Sequence, residues 1–111
     1  MNSIETALRE VLFEGLDDWV PVDRVIGLAR EMAATEAADF QDLAVRMIEL
    51  LIGQGLMDAG DIGDAGFERW EGTPEEVVAR VVAVCKSLRW EPFGEACWMT
   101  NTDKGNAQAQ K

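Results

Sequence analysis

The chain has 111 residues, 21 of them acidic and 10 basic, which gives a formal charge of −11. That length suits one domain, able to bury roughly two-thirds of its unfolded surface around a single core. A hydrophobic content of 48% excludes a disordered chain, and the want of an apolar run near about 18 residues excludes a spanning helix.

Residues 3–14 carry Ile4, Ala7, Leu8, Val11 and Leu12 at the spacing of one buried helical face. Asn2 or Ser3 can cap the first turn, and Gly15 is a natural stop. Trp19-Val20 before Pro21 reads as a short extended piece, because the residue before proline is pushed out of the helical region. Pro21 suits the first turn of a second helix, whose inner face is Val22, Val25, Ile26, Ala29 and Ala33. The run 34–39, ATEAAD, reads as a turn, with Asp39 as cap for a third helix. In that helix Phe40, Leu43, Ala44, Met47, Ile48, Leu51 and Ile52 make a wide apolar stripe that closes at Gly53 or Gly55.

Leu56, Met57 and Ala59 suggest a strand. GDIGDAG, residues 60–66, has the composition of a loop, and Phe67 to Trp70 alternates like a half-buried return strand. Thr73-Pro74-Glu75-Glu76 predicts a capping box with proline in the first turn, opening a fourth helix that runs to about Leu88. Trp90, Phe93, Cys97, Trp98 and Met99 read as a strand or irregular cover over the sheet. Residues 1–100 are then one domain. Residues 101–111 contain no apolar side chain larger than alanine and read as a flexible tail.

The chemistry is marked by what is missing. There is no histidine, which removes the commonest general base, proton shuttle and zinc ligand. The paired carboxylates Asp17-Asp18 and Glu75-Glu76 lie at helix ends, and neither Cys85 nor Cys97 has an imidazole to activate it. Asp58, Asp61 and Asp64 recur every third residue, which does not fit a calcium loop. The expectation is a non-enzymatic protein with no catalytic residues, no metal and no cofactor. Residues 1–10 lack the basic and apolar segments of a signal peptide, so the cytoplasm is the expected compartment.

The order helix, extended piece, helix, turn, helix, strand, loop, strand over residues 3–70 resembles the winged-helix family. The expected fold is α+β and winged-helix-like, with about four helices and a small antiparallel sheet of two or three strands. In that family the third helix enters the major groove of DNA. Here that face would show Asp42, Arg46 and Glu49, and the wing Asp58, Asp61 and Asp64. Carboxylates facing phosphates give the electrostatic term the wrong sign, so no nucleic-acid partner is expected.

The stretch GDIGDAGFERW, the PEE helix start and the closing W-x-T-N-T-x-x-G resemble small acidic bacterial proteins, in character similar to the immunity proteins of toxin systems. That resemblance implies a toxin inhibitor whose partner is a basic protein such as a nuclease. The binding residues expected on this reading are Asp42, Arg46, Glu49, Asp58, Asp61, Asp64 and an exposed aromatic anchor at Trp70. A winged-helix regulator or adaptor is the alternative. A homodimer subunit that uses the C-terminal aromatics as its interface is a third class, and no membrane partner is expected.

Overall fold

A computed structural model describes residues 3–111; capping by Asn2 lies outside the described residues. The elements are α1 (Ser3–Glu14), β1 (Val20–Pro21), α2 (Val22–Glu36), α3 (Phe40–Gly53), β2 (Met57–Gly63), β3 (Gly66–Arg69), α4 (Pro74–Ser87), β4 (Trp98–Asn101) and α5 (Asp103–Ala109). The architecture is α+β, with five helices and a four-stranded antiparallel sheet in the order β1-β4-β2-β3. The sheet has more strands than expected because the C-terminal segment inserts between β1 and β2, pairing Met99 with both Val20 and Ala59. Among the described residues no helix is long and apolar enough to cross a membrane.

The core follows the helical stripes. Ala44, Met47, Ile48, Leu51 and Ile52 of α3 are buried together with Val11 and Leu12 of α1, Val25 and Ile26 of α2, and Val81 and Cys85 of α4. The sheet contributes Val20, Met57, Ala59 and Met99 from its inner face. Each large apolar side chain fully buried here contributes roughly 1.5–3 kcal/mol relative to exposure.

Local signals set several boundaries. Asp39 Oδ1 accepts the Gln41 N–H at 2.7 Å and caps α3. The capping box of α4 is complete. The Glu76 N–H donates to Thr73 Oγ1 at 3.2 Å, and the Thr73 N–H donates to Glu76 Oε1 at 2.8 Å. Donation from the Thr73 backbone, and next from its side chain, holds the Glu76 pKa below its ordinary value.

Several segment assignments need correction. Pro21, expected in the first turn of the second helix, instead ends β1 and stands before α2 in an extended conformation with ψ 148°. The first half of the run 34–39 is helix, since α2 continues to Glu36 and stops only at Ala37, in the left-handed conformation with φ 53°. The supposed loop 60–66 is mostly strand. β2 extends to Gly63, so Asp64-Ala65 alone connect it to β3, and Gly66 takes φ 110°, which glycine tolerates. The segment 101–111 is not a loose tail, because Asp103–Ala109 form α5.

The tail is anchored by polar groups instead of apolar ones. Thr102 Oγ1 donates to the Gly55 carbonyl at 2.6 Å and accepts the Gly105 N–H at 3.0 Å. Lys104 Nζ donates to the Gln54 carbonyl at 2.8 Å, and Asn101 Nδ2 to the Leu12 carbonyl at 2.9 Å. The carbonyls that close α1 and α3 lack partners within their own helices, and this segment supplies them.

Candidate protein-docking surface

The two faces of the sheet follow from its register. Val20, Met57, Ala59 and Met99 point into the core. Side chains alternate along each strand, so Pro21, Trp98, Ile62 and Phe67 belong to the outer face, where Pro21 pairs with Trp98 and Ile62 with Phe67. Trp19, just before β1, leans onto the tip of the β2–β3 hairpin. Its ring centroid is 6.3 Å from that of Phe67, and its indole edge comes within 3.5 Å of where a Cβ on Gly66 would lie. These side chains are incompletely covered. Trp19 remains 44% exposed and Ile62 40%. Gly60 makes room for the arrangement, since a Cβ there would meet the Glu68 carbonyl and, at 2.9 Å, Phe67 Cζ.

Beside Trp19 lies a cleft of about 480 Å³, bounded by Phe13, Glu14, Asp17, Asp18, Pro21 and Arg24. Phe13 is 66% exposed at its edge. The charge around this surface is unbalanced. Arg24 Nε is engaged with Glu14 at 2.9 Å, and Arg69 Nε with Asp58 at 3.3 Å. Asp17, Asp18 and Asp64 are exposed, and among the described residues no cation pairs with them. The surface is therefore an apolar strip with surplus carboxylates at its rim.

The expected site residues divide into three groups. Asp42, Arg46 and Glu49 are exposed on one stripe of α3, and among the described residues no hydrogen bond or ion pair links that stripe to the hairpin. Asp58, Asp61 and Asp64 all lie on the hairpin, but alternation puts Asp58 and Asp61 on opposite faces of β2, and both have internal work. Asp58 holds Arg69, and Asp61 Oδ2 accepts the Trp70 Nε1–H at 2.9 Å. Trp70 itself is a correction. It is 6% exposed, with the Arg80 guanidinium 3.7 Å above its ring. A tryptophan enclosed in this way fastens the hairpin to α4 and offers no exposed anchor.

Sequence reasoning missed Trp19, Phe13 and Ile62 as exposed apolar groups, and Phe93, expected to cover the sheet, is instead 83% exposed. The available signal was Trp19 directly after Asp17-Asp18 in a segment with no helical or strand period to bury it. Trp90 is buried, packs edge-on against Phe40 with centroids 6.5 Å apart, and takes a hydrogen bond from Arg30 Nη2 on its carbonyl at 3.2 Å.

Cys85 and Cys97 are free, buried thiols. Burial pushes the Cys85 pKa up to about 11, and the nearby Asp23 carboxylate adds to the effect. Burial, then the neighbouring Cys85, Asp61 and Asp23, push Cys97 up to about 12 against an opposing pull from Arg80. Both therefore stay protonated at neutral pH, which suits packing and not nucleophilic attack. Among the described residues, no group of three or more Cys, Asp or Glu side chains is arranged to hold a metal ion. Comparison with protein-family models, with curated proteins and with solved structures finds no match to this chain.

Proposed function

We propose that this protein is a non-enzymatic binding module for a basic protein, in the manner of an immunity protein that blocks a basic toxin. The observation that carries this reading is the outer sheet face. Trp19, Ile62 and Phe67 form an incompletely covered apolar strip, and the adjacent Asp17, Asp18 and Asp64 have no cationic partner among the described residues. Binding hot spots favour a large aromatic group at the centre, ringed by groups that exclude water. Unpaired rim carboxylates raise the encounter rate with a cationic surface and disfavour an anionic one.

A winged-helix regulator or adaptor is the second reading. It is favoured by the order α1, β1, α2, α3, β2, β3, which follows the winged-helix sequence of elements. The exposed carboxylates Asp42 and Glu49 on α3 weigh against a phosphate backbone as its target.

The test starts by capturing partners from the native host with the wild type and with Trp19→Ala, each immobilised. A basic protein held by the wild type and lost by the variant supports the proposal. Association rates follow for wild type and for an Asp17→Asn, Asp18→Asn, Asp64→Asn variant, chosen because these side chains carry no ion pair among the described residues. The variant should associate about tenfold more slowly at low salt, with the difference shrinking as salt rises. Capture of the same protein by Trp19→Ala at wild-type strength would rule this surface out.

A further inference from the structure

The sheet ends differently on its two sides. At one side β1 is two residues long and contains Pro21, which has no N–H to offer a neighbour. At the other side β3 runs from Gly66 to Arg69 without proline, and among the described residues no strand lies beyond it. The register shows which of its backbone groups are free. The Trp70 N–H donates to the Ala59 carbonyl at 2.9 Å, so Trp70 and, by alternation, Glu68 turn their backbone groups toward β2. Phe67 and Arg69 turn theirs away. Their N–H and C=O groups form an open ladder, beside an outer face that already carries Ile62 and Phe67.

We infer that an extended, cationic segment of the partner adds to β3 as a fifth strand of the sheet. This rests on the binding function proposed above and specifies how the partner is held. A strand added antiparallel would exchange backbone hydrogen bonds with Phe67 and Arg69 and place one residue between them, opposite Glu68. That residue is lysine or arginine, because Glu68 is exposed and joined on the hairpin by Asp61 and Asp64. The residue opposite Phe67 is apolar and lies on the same side as the Ile62–Phe67 pair.

A second copy of this chain is the competing occupant, and charge disfavours it. The symmetric pairing that uses both Phe67 and Arg69 sets Glu68 opposite its own counterpart, and like charges directly opposite are destabilising. Each copy also carries a net charge of −11. Glu68 thus repels self-pairing at the edge that accepts a basic strand.

The probe is a short peptide of alternating valine and lysine, with a control N-methylated at each valine. Hydrogen exchange at individual amides is followed by NMR. At ten times its Kd the unmodified peptide should slow exchange of the Phe67 and Arg69 amides roughly tenfold, and Glu68→Lys should abolish that protection. The N-methylated peptide should lose it too, since the methyl groups replace the donors that face β3. Binding that spares both amides, or that survives N-methylation, overturns strand addition while leaving the proposed binding function to the Trp19→Ala test. Failure of the peptide to bind overturns it as well. Protection that grows with protein concentration in the absence of peptide would assign the edge to a second copy and overturn it.

Discussion

The two ends of the β2–β3 hairpin each hold a tryptophan, and the two are used in opposite ways. At the base, Trp70 is enclosed, its indole N–H is satisfied by Asp61 and its ring is covered by Arg80. At the tip, Trp19 leans on Phe67 with nearly half its surface open to solvent. The base ring gives its contact energy to folding. The tip ring keeps much of its apolar area uncovered, available for stabilising a complex. Residue type does not separate the two; burial and partners do.

The comparison is broken most severely at the base. Trp70→Ala should cost about 3–5 kcal/mol of stability, the range for deleting a buried aromatic side chain. Chemical denaturation checks this, and a loss below about 1 kcal/mol would mean that the hairpin is not fastened there. Trp19→Ala should lower stability by under about 1 kcal/mol, because its ring already meets water.

Gly60 lies between the two ends. Gly60→Ala should cost about 1–3 kcal/mol, because the new methyl group would meet the Glu68 backbone carbonyl, which cannot step aside as a side-chain tip could. The same measurement serves, together with the fluorescence of Trp19, whose Phe67 neighbour must shift. An unchanged midpoint and spectrum would show that the outer face is loosely packed.

The buried thiols predict a smaller, pH-dependent effect. Their folded pKa values, about 11 for Cys85 and about 12 for Cys97, lie above the ordinary value of 9.0. The folded state therefore holds these protons more tightly than the unfolded state. The stability linked to them is complete below pH 9 and declines as the pH rises through 11 to 12. Thiol-specific labelling at pH 8 should be slow in the folded protein and fast in denaturant. Fast labelling of the native chain would contradict the burial.

Much of the fold was legible in the sequence because the helices announce themselves. The stripe from Phe40 to Ile52 and the Thr73-to-Glu76 cap signal act within a few residues of chain, and both appear where their pattern places them. The tail was illegible for a physical reason. α5 is held by Thr102, Lys104 and Asn101 bonding to carbonyls that are distant in sequence, and no hydrophobic period records such contacts. The length of β2 is hidden in the sequence because Gly60 and Gly63 carry turn chemistry, whereas Gly60 is required by the close approach of Phe67. The docking surface was legible only in part. The carboxylates are visible in any reading, but deciding which tryptophan is covered needs the tertiary contacts that put Arg80 over Trp70.

The central claim is that the exposed tip of the outer face, and not the buried base, is where a partner binds. Its most direct test is the Kd of the captured basic partner for wild type and Trp19→Ala, measured by calorimetry alongside thermal unfolding of both proteins. Loss of a central aromatic anchor should weaken the complex by about 2 kcal/mol or more, roughly thirtyfold, while the unfolding temperature stays within a few degrees. An affinity unchanged by Trp19→Ala, in a variant that still folds, would contradict the account.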